Sequence, residues 1–112
     1  MEVTPRRIDY YRTTDGRIPY REWYYALKDL KGRASILERL TRVERGLLGD
    51  AKWVGEGVWE LRIDVGPGYR VYFGQDGKTL IWLLSGGDKS TQKKDVKKAH
   101  AYWVDYLRRK GQ

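Results

Sequence analysis

The feature that most constrains this chain is a change of hydrophobic period. Up to about residue 47 the apolar positions recur at helical spacing. In 58-VWELRIDV-65 the residues Trp59, Leu61, Ile63 and Val65 instead alternate with Glu60, Arg62 and Asp64. A period of two marks a half-buried strand. Such a strand must pair with others, so a sheet follows a helical segment.

The neighbouring stretches supply those partners. Gly66-Pro67-Gly68 is a turn, because glycine accepts positive φ and proline presets its own. In 69-YRVYFG-74 the alternation turns Tyr69, Val71 and Phe73 toward the core and Arg70 and Tyr72 away from it. After the turn 75-QDGK-78, the run 79-TLIWLLS-85 is apolar throughout, which predicts a central strand covered on both sides.

Residues 6-RRIDYY-11 read as a first strand. Pro19 opens a helix carrying Trp23, Ala26, Leu27 and Leu30, and Gly32 breaks it. A second helix places Ile36, Leu37, Leu40, Val43 and Leu47 on one face, with Arg33, Arg39 and Arg42 on others, and Gly46 and Gly49 close it. Asp88 or Ser90 caps a last helix with the stripe Val96, Ala99, Trp103 and Tyr106/Leu107. The expected order is β-α-α-β-β-β-α, an α+β fold with a small antiparallel-rich sheet.

The 112 residues make one domain, 1–112. There is no cysteine and only one histidine, His100, so thiolate chemistry, Cys/His zinc sites and two-histidine ribonuclease chemistry are excluded. His100 lies near the last helix's apolar stripe and reads as structural. No apolar run approaches the roughly 18 residues of a membrane span, and 1-MEVTPRRIDY-10 lacks the apolar block of a signal peptide. The expectation is a cytoplasmic protein with no membrane partner, no metal and no cofactor.

Charge points to the partner. The net charge is +8, and from Lys89 onward eight basic residues face two acidic ones, so most of the excess sits on the last element. That balance suits a polyanion. Within it, Lys93/Lys97 and Lys94/Lys98 are i,i+4 pairs on the solvent side of the helix. They read either as a solvated face or as an RNA-docking surface.

Strand alternation brings Arg62 and Arg70 to one face of a hairpin, within about 5–8 Å at Cβ, with Tyr72 beside them. Like charges so placed need an offset. One reading is local pairing with Glu60 and Asp64. The other is a phosphate gripped by two guanidinium groups, with Tyr72 stacking on a base. The loop 85-SGGDK-89 adds Lys89 at a helix start, where free N–H groups attract anions. For RNA cleavage this leaves electrostatic stabilisation of the phosphorane, with Glu60 to take the 2′-OH proton and Lys89 to serve the leaving oxygen.

The run "VWELRIDVGPGYRVYF…LIWLLSGGDKSTQKKDVKKA" resembles the RelE/ParE toxin superfamily, in its HigB-like, phage-derived addiction-module branch. The resemblance implies the toxin of a type II toxin–antitoxin pair, usually a metal-independent endoribonuclease acting on mRNA in the ribosome. It implies neutralisation by a cognate antitoxin, often of helix-turn-helix type, in a hetero-oligomer. By motif, Arg70 matches the family's phosphate-contacting arginine, and Arg62 and Lys89 fall at basic positions of RNA-cutting relatives. Two departures stand out. Glu60 replaces a lysine found in some relatives, and the tyrosine or histidine of the final segment has no clear counterpart, Asp95 being nearest and Tyr102 and Tyr106 lying later. The alternative is therefore a binding protein of the same fold, such as a ParE-like gyrase inhibitor or an inactive phage-derived remnant.

Overall fold

A computed structural model describes residues 4–111. Five strands and three helices follow in the order β1 (Arg7–Tyr10), α1 (Pro19–Ala26), α2 (Leu30–Glu44), β2 (Ala51–Trp53), β3 (Val58–Ile63), β4 (Tyr69–Asp76), β5 (Leu80–Asp88) and α3 (Gln92–Lys110). A single 3₁₀ turn, Lys89–Thr91, joins β5 to α3. The expected α+β order holds, with one strand added. The short edge strand β2 has only three residues, too few for alternation to announce it.

The sheet order is β1-β5-β4-β3-β2. All neighbours are antiparallel except β1, which runs parallel to β5. The apolar run 79–85 therefore lies second from one edge, and β4 holds the centre. Both faces of β5 are nonetheless covered, Ile81 and Leu83 on one side and Trp82 and Leu84 on the other. No helix among the described residues is long and apolar enough to cross a membrane.

Helices cover both sides of the sheet. On one face, Tyr20 of α1 and Ile36, Leu40 and Val43 of α2 pack on Leu61, Ile63, Val71, Phe73, Ile81 and Leu83. On the other, Ala99 and Trp103 of α3 pack with Tyr11, Val58, Tyr72 and Leu84. The second core changes the reading of the hairpin. The face of β3 and β4 expected to meet solvent lies beneath α3.

Local details depart from the expected pattern for clear reasons. Gly32 does not break a helix but sits in the first turn of α2, where its amide donates to the Asp29 cap at 3.0 Å. A side chain there would run into Tyr69 and Asp29. Leu37, Leu47 and Leu107 are exposed, whereas Arg39 is buried on the core stripe with Ile36, Leu40 and Val43. Four hydrogen bonds make that burial tolerable: Arg39 donates to the carbonyls of Leu48 (twice), Asp50 and Arg62 at 2.7–3.1 Å.

One irregularity sets the site. Tyr72 pairs with Ser85 but Phe73 with Leu83, so Leu84 is an extra residue in β5. The bulge shifts the alternation, placing Gly86 opposite Val71 and Gly87 opposite Arg70. A Cβ at Gly86 would strike Trp23 of α1, and one at Gly87 would strike Asp95 of α3. The two glycines let helices close on both faces of the same strand end.

Candidate nucleic-acid interface

Arg62 and Arg70 pair directly across the β3–β4 ladder, and Glu60 pairs with Tyr72 two residues away. All four side chains therefore stand on the α3 side. Glu60 is fully buried. A lone carboxylate there would cost several kcal/mol, so it must be compensated. Its Oε1 accepts from Arg62 Nε at 2.9 Å and lies 3.7 Å from Arg70 Nε; its Oε2 accepts from Gln92 Nε2 at 2.9 Å. The offset to the facing arginines is thus built in. Pairing with Glu60 holds the Arg62 guanidinium above its usual pKa, so it stays charged at any relevant pH.

Arg70 is 8% exposed, which corrects the expectation that it points away from the core. Its Nη1 donates to the Tyr69 carbonyl at 3.3 Å, while its Nε is buried without a hydrogen-bond partner. The guanidinium extends toward Gly68. A Cβ on Gly68 would lie 3.7 Å from Arg70 Nη1 and 3.5 Å from the Lys89 Cβ. The Lys89 amide also donates to the Gly68 carbonyl at 2.9 Å. The turn 66–68 and the loop 85–89 are therefore tied together, with Arg70 Nη1 and the Lys89 Cβ both close to Gly68.

Two expected roles need correcting. Tyr72 is fully buried in the α3-side core, so no ring face is free to stack on a base. Burial and the neighbouring Glu60 charge push its hydroxyl pKa well up, and the hydroxyl finds no partner. Lys89 does not stand at a vacant helix N-terminus. It begins the 3₁₀ turn, and the Asp88 carboxylate already accepts from the Ser90 amide at 2.8 Å. Lys89 contributes its own charge, not a set of free N–H groups.

The local charge count is also informative. Arg62, Arg70 and Lys89 stand among Glu60, Asp88 and Asp95, so the strand pair itself is close to neutral. The positive excess comes from α3, where Lys93, Lys94 and Lys97 are exposed. Among the described residues none of these lysines, nor Lys89, forms an ion pair within 4.0 Å. His100 packs as a structural residue, its Nε2 lying 2.9 Å from the Val54 carbonyl. Among the described residues no group of three or more His, Asp or Glu side chains could hold a metal ion.

Sequence reasoning missed two residues that shape this site. Gln92 closes over Glu60 from the first turn of α3, and no periodic signal marks a single polar contact of that kind. Arg39 fixes the Arg62 carbonyl from behind, and here a signal existed. It lies three residues after Ile36 and four before Val43, on the stripe itself.

Two comparisons place the chain among known proteins. Residues 23–101 match the family described as Phage derived protein Gp49-like (DUF891), a span that includes Glu60, Arg62, Arg70, Lys89, Lys93, Lys94 and Lys97. A protein of Haemophilus influenzae, named only "Uncharacterized protein", is 48% identical over 82 residues, which cover 73% of this chain and 83% of that protein. The chain belongs to the Gp49-like family of phage-derived proteins.

Proposed function

We propose that this protein is the toxin of a type II toxin–antitoxin pair and inhibits translation as a metal-independent, ribosome-dependent mRNA endoribonuclease. The family's association with toxin–antitoxin modules supports the coarse part of this reading. The observation that carries the finer part is the Glu60–Arg62–Arg70 cluster with Lys89 beside it. A carboxylate held against two guanidinium groups, with the base of the Lys89 side chain nearby, supplies a proton acceptor and charge stabilisation.

The step runs as an internal transfer. Glu60 accepts the 2′-OH proton as O2′ bonds to the adjacent phosphorus. Arg70 and Lys89 stabilise the added negative charge of the phosphorane. The P–O5′ bond then breaks, Lys89 protonates the leaving oxygen, and the products are a 2′,3′-cyclic phosphate and a 5′-hydroxyl. Because Gln92 covers Glu60, access requires the start of α3 to shift. An acidic antitoxin segment over the α3 lysines would hold the protein silent.

One observation favours a second reading, a binding protein without nuclease chemistry. Glu60 is completely enclosed and fully partnered, as a purely structural carboxylate would be. Adding purified protein to a translation extract separates the two. The nuclease reading expects cleavage of the translated message and none of an untranslated copy; arrest with intact message favours the binding reading.

A further inference from the structure

Gln92 has two neighbourhoods. Its amide holds Glu60, and it also lines an open groove of about 790 Å³ between the first turns of α3 and segment 52–55. Lys52, Val54, Lys93, Val96 and Lys97 line the same groove. Val54 and Val96 pack on the α3-side core and give it an aliphatic floor. His100 joins the two walls, its Nε2 lying 2.9 Å from the Val54 carbonyl.

Cations stand on both rims. Lys52 pairs with Glu60 across β2–β3, which puts its side chain on the α3 side of the sheet. Lys93 and Lys97 lie one turn apart on α3. Among the described residues none of the three forms an ion pair within 4.0 Å. Trp53 pairs with Trp59, which packs on the α1/α2 core, so the Trp53 indole stands on the opposite face of the sheet.

This cross-section, an aliphatic strip between two cationic rims, selects the occupant. Nucleic-acid bases settle on aromatic rings, and the floor is aliphatic. An extended peptide turns successive side chains to opposite faces, so it cannot bring its apolar residues to the floor and the charges between them to the rims. A helix carries an apolar stripe with polar residues along both flanks. Acidic flanks would meet Lys52 on one side and Lys93 and Lys97 on the other, while the stripe covers Val54 and Val96.

We infer that this groove docks an acidic amphipathic helix of a protein partner, and that the docked helix holds the first turn of α3, and Gln92 with it, closed over Glu60. The inference rests on the toxin reading for the partner's identity as the antitoxin. Neutralisation then works by keeping the carboxylate enclosed, and not by covering the α3 lysines alone.

The test is fluorescence anisotropy of the full chain with a capped peptide of about 15 residues that carries a leucine stripe flanked by glutamates. A scrambled peptide of the same composition serves as its partner. The amphipathic peptide should bind at least about tenfold more tightly than the scrambled one. Lys52→Glu should weaken that binding about tenfold, because an attraction becomes a repulsion. Lys31→Glu, on α2 across the sheet and with the same change of net charge, should leave it unchanged. With the peptide bound, hydrogen exchange over residues 91–96 should slow. Equal binding of the two peptides overturns the inference, as do equal losses in Lys52→Glu and Lys31→Glu, or unchanged exchange over 91–96 on binding. A uridine hexamer that binds through Lys52 where the peptide does not overturns it too, and assigns the groove to single-stranded RNA. Failure of the toxin reading is distinguishable: the peptide would bind and slow exchange while translated message remained uncut.

Discussion

Arg62 and Arg70 face each other directly across the β3–β4 ladder, beneath α3 and with the buried Glu60 carboxylate between them and Gln92. The arrangement works only as a unit. Without the carboxylate, two guanidinium groups would face each other with Arg70 largely out of water.

Removing that carboxylate should therefore cost more than an ordinary surface ion pair. Glu60→Ala leaves a buried cation uncompensated, a change that typically costs about 3–5 kcal/mol. Urea denaturation checks it. A loss below about 1 kcal/mol, the scale of an exposed pair, would mean that water reaches the arginines freely. The same burial makes Arg70→Ala a poor functional probe, because it also removes packed volume. Arg70→Lys keeps charge and stem but loses the fork, and is the better variant.

Arg39 is the second buried cation, and its role is architectural. Arg39→Met keeps the apolar stem and strands the carbonyls of Leu48, Asp50 and Arg62. With each buried unpaired group costing about 1–3 kcal/mol, a loss of about 3 kcal/mol is expected in the same denaturation experiment. Burial lowers the Arg39 pKa, but the group stays protonated at neutral pH, so the loss should not depend on pH between about 6 and 8.

Gly87 sets how closely α3 approaches the site. A methyl group there would strike Asp95 and crowd Thr91, so Gly87→Ala should push the start of α3 outward. Gln92 would then leave Glu60. Hydrogen exchange should show faster exchange over residues 91–96 with little change in β1, and a uniform change across the sheet would contradict this.

Stability should fall at both ends of the pH scale, through three tyrosine–aspartate bonds. Tyr11 donates to Asp105, Tyr106 to Asp76 and Tyr69 to Asp29, at 2.6–2.7 Å. Asp105 is held low chiefly by Tyr11, Asp76 by Lys110 and then Tyr106, and Asp29 by the Gly32 amide and then Tyr69. Folded values below the roughly 3.9 of an unfolded aspartate mean that their contribution is complete above about pH 4 and lost as pH falls through those values. Burial, reinforced by the partner carboxylate, pushes each tyrosine up to about 12, so stability also declines between about pH 10 and 12, where the unfolded chain loses its protons first. Denaturation across pH, with Asp105→Asn flattening the acid limb, checks the assignment. An unchanged acid limb in that variant would remove Asp105 from it.

Much of the fold was legible because long periodic elements carry strong signals. The change from helical to strand period at residue 58 located the sheet, and alternation put Arg62 and Arg70 on one face of the hairpin. Their direct pairing is set by the register. What alternation does not encode is which covering element lies on each face. The polar residues Glu60, Arg62 and Arg70 read as a solvated face, yet α3 covers them, because their charges satisfy one another. Leu84, the bulge residue, is apolar like its neighbours, so the shift that brings Gly87 to Arg70 left no trace in composition. The Lys89 position was readable, but the Asp88 side chain takes the amide that would have received an anion, a detail of capping geometry.

Ribosome-dependent cleavage through Arg70 is tested by inducing the unaltered protein and Arg70→Lys in a bacterial host without antitoxin, and mapping transcript 5′ ends within minutes. New 5′-hydroxyl ends are expected inside translated regions, in register with the reading frame, present with the unaltered protein and strongly reduced with folded Arg70→Lys. Growth arrest with transcripts intact, or equal cleavage by both proteins, would contradict it.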